Sequence, residues 1–272
     1  MKTITYELLS LNQNQSASEI QSGIRAEYIP SPLTRRLANW KGRAMARTLM
    51  MLGVSEKIFN YMVIRPYALM TALRQAIEAT NHTMPVVIDP AAGFGPQYIW
   101  LADEMPDVQF IEIDHPDVIR EKEAMLAGYP LASGIELRGV DLASEPLETA
   151  LGGIRPNVIT AMAAYMTKQQ FVEVLRYLSS VIAPDGWVIA PFPNKQGIDD
   201  LSRNSLIFKR LAKTKPIGMI DSDDVIYTIM EEAGYRNTQL IKLSDVAHQM
   251  DKAIPADIET FALAQVPDIS RI

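Results

Sequence analysis

The chain has 272 residues, a formal net charge of −6, and 48% hydrophobic against 21% charged residues, enough to bury a large core as one big domain or a domain with a cap. It has no cysteine and three scattered histidines, His82, His115 and His248. This excludes disulfides, thiol nucleophiles and cysteine-ligated zinc, and offers no metal-ligand spacing. The acidic balance argues against a general nucleic-acid binder, no apolar run is long enough to cross a membrane, and "MKTITYELLSLNQNQS" lacks the apolar core of a signal peptide; a cytoplasmic location is expected.

In chain order, residues 1–85 read as helical. Within 31–51, Leu33, Leu37, Trp40, Ala44 and Leu49, with Leu52 just beyond, fall near helical spacing. Ser31-Pro32 suits one helix start, and Pro66 suits another running to about Thr80. From Val86, strand candidates at 86–90, 108–113, 135–139, 157–162 and 186–192 alternate with helices at about 95–105, 116–127 and 168–182. That alternation predicts parallel strands joined by right-handed crossovers. A helix at about 221–233 leads to two consecutive strands, 237–243 and 259–266, whose connector is too long for a tight hairpin. Seven strands are expected, the last antiparallel.

The stretch "VVIDPAAGFGPQYIWLADEMPDVQFIEIDHPDV", 86–118, is a strand, a small-residue turn, a helix and a second strand. Ala91, Ala92, Gly93 and Gly95 keep the turn small and open to a ligand, and the following helix points free N–H groups at it. Asp114, ending the second strand, sits where ribose hydroxyls are bound in dinucleotide and adenosine sites. A structural turn with an acidic helix cap is the plainer alternative. The glycine order does not match G-x-G-x-x-G. It is closer to the acidic-x-small-x-Gly-x-Gly loop of S-adenosylmethionine enzymes, with Asp89 as the acid.

Residues 62–192 then resemble the leucine carboxyl methyltransferase family, including its bacterial tetracenomycin-type O-methyltransferases. "VIRPYALMTAL" is similar to that family's arginine-bearing helix, and "VVIDPAAGFG" to its "VVxLGAGxDTR" loop. "FIEIDHPDVIREKEAML" is similar to "xxEVDxPxVxxxKxxxL", the most specific stretch. "GVDLAS" is similar to "xxDL", and "ITAMAAYMTKQQFVEVLRYLSSVIAPDGWVI" to the stretch that follows the fourth strand. Two positions depart: Gly95-Pro96-Gln97 stands in place of Asp-Thr-Arg, and Thr160 and Ala161 stand in place of an acid after the fourth strand.

The resemblance implies S-adenosylmethionine as cofactor. It implies Arg65 on the methionine carboxylate, Asp89, Ala91, Gly93 and Gly95 around the methionine part, and Asp114 with neighbouring His115 at the ribose. Asp141 and Leu142 would flank the adenine. Ala161 lies where the methyl group emerges, with Tyr165 and His115 as candidates for handling the acceptor. For Tyr165 the plainer reading is core packing; for His115 it is a helix cap; for Arg35, Arg36, Lys41, Arg43 and Arg47 it is a solvated helix face.

The expectation is an α/β protein: a Rossmann-like seven-stranded class I methyltransferase sheet, 82–272, with a helical N-terminal cap, 1–81. It would methylate an oxygen, carboxylate or hydroxyl, of a small molecule, an anionic acceptor among the options, with no nucleic-acid or membrane partner and with a homodimer allowed. Two rivals stand beside it: a protein of the same fold that binds the cofactor but catalyses a different reaction or none, and a nicotinamide-dependent oxidoreductase.

Overall fold

The computed structural model describes residues 15–29, 31–161, 166–203, 218–254 and 258–266, with side chains for all but 15–17 and 200–203. Seven strands run in chain order: β1 Val86–Pro90, β2 Gln109–Asp114, β3 Ile135–Gly139, β4 Val158–Thr160, β5 Trp187–Pro193, β6 Arg236–Lys242 and β7 Glu259–Gln265. They form one sheet in the order β3-β2-β1-β4-β5-β7-β6. β1 to β5 pair in parallel, and β7 lies antiparallel to both β5 and β6. The expected sheet, with its last strand reversed, is the one the chain forms.

The central strands are apolar on both faces because both are covered, as parallel sheets require. Side chains alternate along a strand. On β5, Val188, Ala190 and Phe192 therefore enter one core layer while Trp187 and Ile189 enter the other. The edge strand β6 instead has mostly exposed or half-buried positions.

Eleven described helices surround the sheet: α1 Gln15–Tyr28, α2 Pro32–Arg36, α3 Trp40–Met51, α4 Glu56–Glu78, α5 Gln97–Glu104, α6 Pro116–Leu126, α7 Leu147–Leu151, α8 Lys168–Val181, α9 Lys195–Arg203, α10 Asp223–Glu232 and α11 Leu243–Gln249. One core layer holds α8 and α10; the other holds α4, α5 and α11. α8 starts on a capping box, in which Thr167 and Gln170 satisfy each other's backbone N–H groups. Its Phe171, Leu175 and Leu178 form a buried stripe at helical spacing.

The N-terminal helices differ from the sequence expectation in two places. Pro66 does not begin a helix; it lies inside α4, which starts at Glu56. A proline removes one helical hydrogen bond, but α4 buries Ile58, Ile64, Leu69, Leu73 and Ile77, and such tertiary packing outweighs local propensity. Residues 31–51 form two helices. Ser31 caps α2 through the Leu33 N–H, and Asn39 Oδ1 accepts the Gly42 N–H at 2.8 Å to start α3. That restart turns Trp40 outward: it is 76% exposed, and Leu52 is 58% exposed. The connector between β6 and β7 holds α11.

α1 and α3 cross with their backbones touching. A Cβ on Gly23 would overlap the Gly42 carbonyl, and one on Gly42 would overlap the Glu19 carbonyl. Neither obstacle is a flexible side-chain end. Gly23→Ala should therefore lower stability by about 1–3 kcal/mol, as overpacking does. Chemical denaturation of the variant checks this, and a parent-like midpoint contradicts the close crossing.

Candidate functional site

Ligands in open sheets of this kind bind beyond the carboxyl ends of the strands. The loop after β1 is tied to the end of β2 there. The Ala91 and Ala92 N–H groups donate to Ile113 O at 2.8 and 3.2 Å. The Gly93 N–H donates to Asp114 Oδ2 at 2.8 Å, and the His115 N–H donates to Asp114 Oδ1 at 2.7 Å. Gly93 has φ +53°, which glycine adopts without a steric penalty. Asp114 is thus the clasp of this turn, 2% exposed. Burial pushes its carboxyl upward, against the Gly93 and His115 donors that favour its charged form.

Sequence reasoning missed Ser18. α1 lies across the loop, and the Phe94 N–H donates to Ser18 Oγ at 2.8 Å. A Cβ on Gly93 would collide with Ser18, so that serine occupies the space the glycine leaves. Nothing in the local pattern of α1 signals this long-range contact. Lys122 was also missed, although its signal is legible. Val118, Ile119, Lys122 and Leu126 form one buried stripe on α6, and a lysine at a core position demands a partner. Lys122 pairs with Glu112 and donates to Gly95 O at 3.1 Å, with neither charged side chain exposed.

Asp89 ends β1, 7% exposed. It accepts a hydrogen bond from the Thr160 hydroxyl, and the Tyr98 hydroxyl lies 3.4 Å from Thr160 Oγ1. Burial pushes the Asp89 carboxyl up to about 7; Thr160 opposes the rise, and the nearby Glu112 carboxylate adds to it.

Arg65, on α4, lies close enough to feel the Asp89 carboxylate. Its Nε donates to Glu259 Oε2 at 2.8 Å, with the Tyr61 hydroxyl 3.4 Å from the same oxygen. Burial is the largest single effect on Arg65 and works against its charge, yet Glu259, Tyr61 and Asp89 together outweigh it and the net direction is upward. Glu259 faces Pro193 in register, so this cluster lies at the carboxyl end of β5. Arg25 of α1 joins it, 6% exposed. Its Nη2 donates to Gln21 Oε1 at 2.9 Å, while its buried Nε has no hydrogen-bond partner. Burial and the neighbouring Arg65 charge lower its pKa to about 9.

The fold brings Asp89, Ala91, Gly93, Gly95, Asp114 and His115 together at the ends of β1 and β2. Asp141 follows β3, and its carboxylate accepts the Ala143 N–H at 3.0 Å within a turn. Leu142 is fully buried in the core, and Ala161, at the end of β4, is 3% exposed. His115 caps α6, its Nδ1 accepting the Asp117 N–H at 3.3 Å, with the side chain 42% exposed. Tyr165 lies outside the described residues. No group of three or more metal-binding side chains occurs among the described residues, and no described helix is long and apolar enough to cross a membrane.

No protein-family model matches the chain. No curated protein matches it. Among solved structures, a possible exported protein from Bordetella parapertussis is 16% identical, over 95% of this chain and 98% of that one, at TM-score 0.53. Human N-acetylserotonin methyltransferase in complex with S-adenosylmethionine is 16% identical, over 90% and 70%, at TM-score 0.48. An O-methyltransferase family protein from Burkholderia thailandensis is 14% identical, over 84% and 63%, at TM-score 0.48. This chain thus spans less than two thirds of the Burkholderia protein. At this identity the likeness to the Bordetella protein speaks to fold and not to activity.

The buried carboxylates make stability depend on pH. A folded Asp89 pKa of about 7, against about 4 unfolded, means the folded state binds the proton more tightly. That contribution is full below the unfolded value and is lost as pH rises through 7, a loss of up to a few kcal/mol. Asp89→Asn should flatten this fall, so that the variant gains on the parent between pH 5 and about pH 8. Denaturation at both pH values reads the difference, and a pH-independent gap contradicts the assignment.

Proposed function

We propose that the chain is an S-adenosylmethionine-dependent methyltransferase acting on an oxygen, carboxylate or hydroxyl, of a small molecule. The observation that carries this reading is the reversed β7 between β5 and β6. Dinucleotide-binding sheets in the order 3-2-1-4-5-6 add their sixth strand directly beside the fifth. The inserted antiparallel strand speaks for the methyltransferase arrangement that the sequence resemblance implies, and against a nicotinamide enzyme.

The residues present fit that cofactor. Asp114 would accept from the ribose diol. Asp141 would accept the adenine amine, with Leu142 beside it. Gly93 and Gly95 would admit the methionine part past Asp89, Ala91 and Ala161 once Ser18 and the Gln97 amide, which face them here, withdraw. The orphaned Nε of Arg25, next to Arg65, suits the cofactor's carboxylate. When bound, the cofactor supplies an electrophilic sulfonium methyl. The chain's own work is to align the acceptor with it and to keep water out. Ser18 holds the face of the loop, so α1 must shift to share it, as lids do.

Residues 1–81 serve in this proposal as the cap from which acceptor contacts come. Tyr165 and His115 are the candidates for orienting the acceptor or taking its proton. Nδ1 of His115 accepts the cap hydrogen bond, so the neutral ring carries its proton on Nε2 and would orient the acceptor by donating there; it could take the acceptor's proton only after releasing the cap. A carboxylate acceptor needs no base. A second reading, cofactor binding without transfer, draws on Ser18 and on the Gln97 amide, which folds back over Gly95.

Titration calorimetry with S-adenosylmethionine, S-adenosylhomocysteine and NADH tests the proposal. The first two should bind and NADH should not; NADH binding alone overturns it. In a folded Asp114→Ala protein, affinity should fall by about 1.5–3 kcal/mol, and unchanged affinity retires the ribose assignment. Transfer of labelled methyl to a panel of carboxylic acids and phenols distinguishes turnover from the second reading.

A further inference from the structure

Helix α1 lies over the glycine loop and carries two side chains that act on a ligand in opposite senses. Ser18 fills the loop. Its Oγ accepts the Phe94 N–H at 2.8 Å, and it stands against the place where a Cβ on Gly93 would be. A glycine at such a position lets another group approach the backbone closely, and here that group is Ser18. The Gln97 amide covers Gly95 in the same way. The chain itself thus takes up a donor and a space that a ligand of this loop would use.

Arg25, about two helical turns farther along α1, is the opposite case. It is 6% exposed, and its Nη2 donates to Gln21 Oε1, but its buried Nε has no partner. Arg65 lies beside it with a charge of the same sign, so burial and repulsion both oppose the Arg25 cation. Glu259 is already engaged by the Arg65 Nε and the Tyr61 hydroxyl. A second carboxylate brought to Arg25 would satisfy its Nε and relieve the repulsion. Gly23, between the two residues, crosses Gly42 of α3 with the backbones in contact. A tilt of α1 about this crossing moves Ser18, five residues from Gly23, farther than Arg25, two residues from it. Ser18 can therefore leave the loop while Arg25 stays at its cluster.

We propose, on the reading that this loop takes an S-adenosyl ligand, that α1 is a selectivity gate: Ser18 closes the loop against every ligand, and only a ligand with an amino-acid carboxylate offsets the opening, through Arg25. A ligand shifts such an equilibrium only by its differential interaction with the two states. Its apparent affinity scales with the fraction of chains that are open. Adenosine and its simple thioethers lack the carboxylate, so they must displace Ser18 with nothing at Arg25 to compensate. Ser18 and Arg25 therefore decide which adenosyl compounds enter, and neither handles the acceptor.

Calorimetry on the full chain compares S-adenosylhomocysteine with 5′-methylthioadenosine, which keeps the adenosyl thioether and lacks the amino acid. Ser18→Ala should bind both about two- to tenfold more tightly than the parent does, the worth of one neutral hydrogen bond. Arg25→Met should bind S-adenosylhomocysteine roughly tenfold or more weakly, the loss of a charge-assisted bond, and 5′-methylthioadenosine within about twofold of the parent. Arg25→Lys keeps the cation and should recover most of that loss. Without ligand, hydrogen exchange at the Phe94 amide should be slow in the parent and faster in Ser18→Ala. Thermal melts establish that each variant folds, and Arg25→Gln replaces Arg25→Met if the latter does not. Unchanged or weaker binding by a folded Ser18→Ala, or an equal loss of both ligands in Arg25→Met, overturns the gate and leaves the cofactor reading standing. If neither ligand binds the parent or Ser18→Ala, the cofactor reading falls and the gate falls with it.

Discussion

The ion pair between Lys122 and Glu112, with neither side chain reaching solvent, is the contact on which the candidate site depends. Each charge brings a desolvation penalty that the other chiefly offsets. Removing one partner of such a pair commonly costs about 3–5 kcal/mol, because it strands a buried charge. Here the pair also fixes position. Lys122 projects from α6, Glu112 from β2, and the ammonium additionally holds the Gly95 carbonyl of the glycine loop. Strand, helix and loop are pinned at one nitrogen. Two residues farther along β2, Asp114 can then clasp the Gly93 and His115 N–H groups.

The same dryness that makes the pair rigid sets the electrical character of its surroundings. Asp89, Glu112 and Asp114 crowd the ends of β1 and β2, and burial pushes all three carboxyls upward. Across the site, Arg25 and Arg65 press two guanidiniums together with Glu259 as the carboxylate between β7 and α4. One side of the site is thus acid-rich and accepting, while the other is cationic and donating. A ligand that carries hydroxyls at one end and an anionic group at the other matches this polarity. α1 contributes to both ends, with Ser18 at the loop and Arg25 at the cationic cluster.

The sheet was legible from its strands because their burial is periodic or continuous over short runs, and turn residues mark where each ends. Two of the seven expected strands, 86–90 and 135–139, match the observed ones, and the other five differ by one or two residues at a boundary. The glycine loop and Asp114 were legible for the same reason, since a strand, a small-residue turn and a helix make a local pattern. Pro66 misled because local proline chemistry does not know that twelve other residues of α4 will be buried around it. Trp40 misled because the N-cap at Asn39 restarts the helix and turns the stripe outward. Ser18 meets Phe94 across 76 residues and Glu259 meets Arg65 across 194, while Arg25 of α1 meets Arg65 of α4, and no short window of sequence contains both partners.

Placing β7 inside the sheet constrains how the protein is made. During synthesis β1 to β5 emerge in an order that lets each find a neighbour soon after its crossover helix. β6 cannot do so. Its partner is β7 alone, so its backbone groups remain open until Glu259–Gln265 has left the ribosome and slotted against β5. Until then the flank of β5 also presents an unpaired edge, the type of surface that invites pairing with another chain. A polypeptide stalled or truncated before residue 259 would hold both open edges at once, so the cell's chaperones meet their most aggregation-prone form of this protein late in translation.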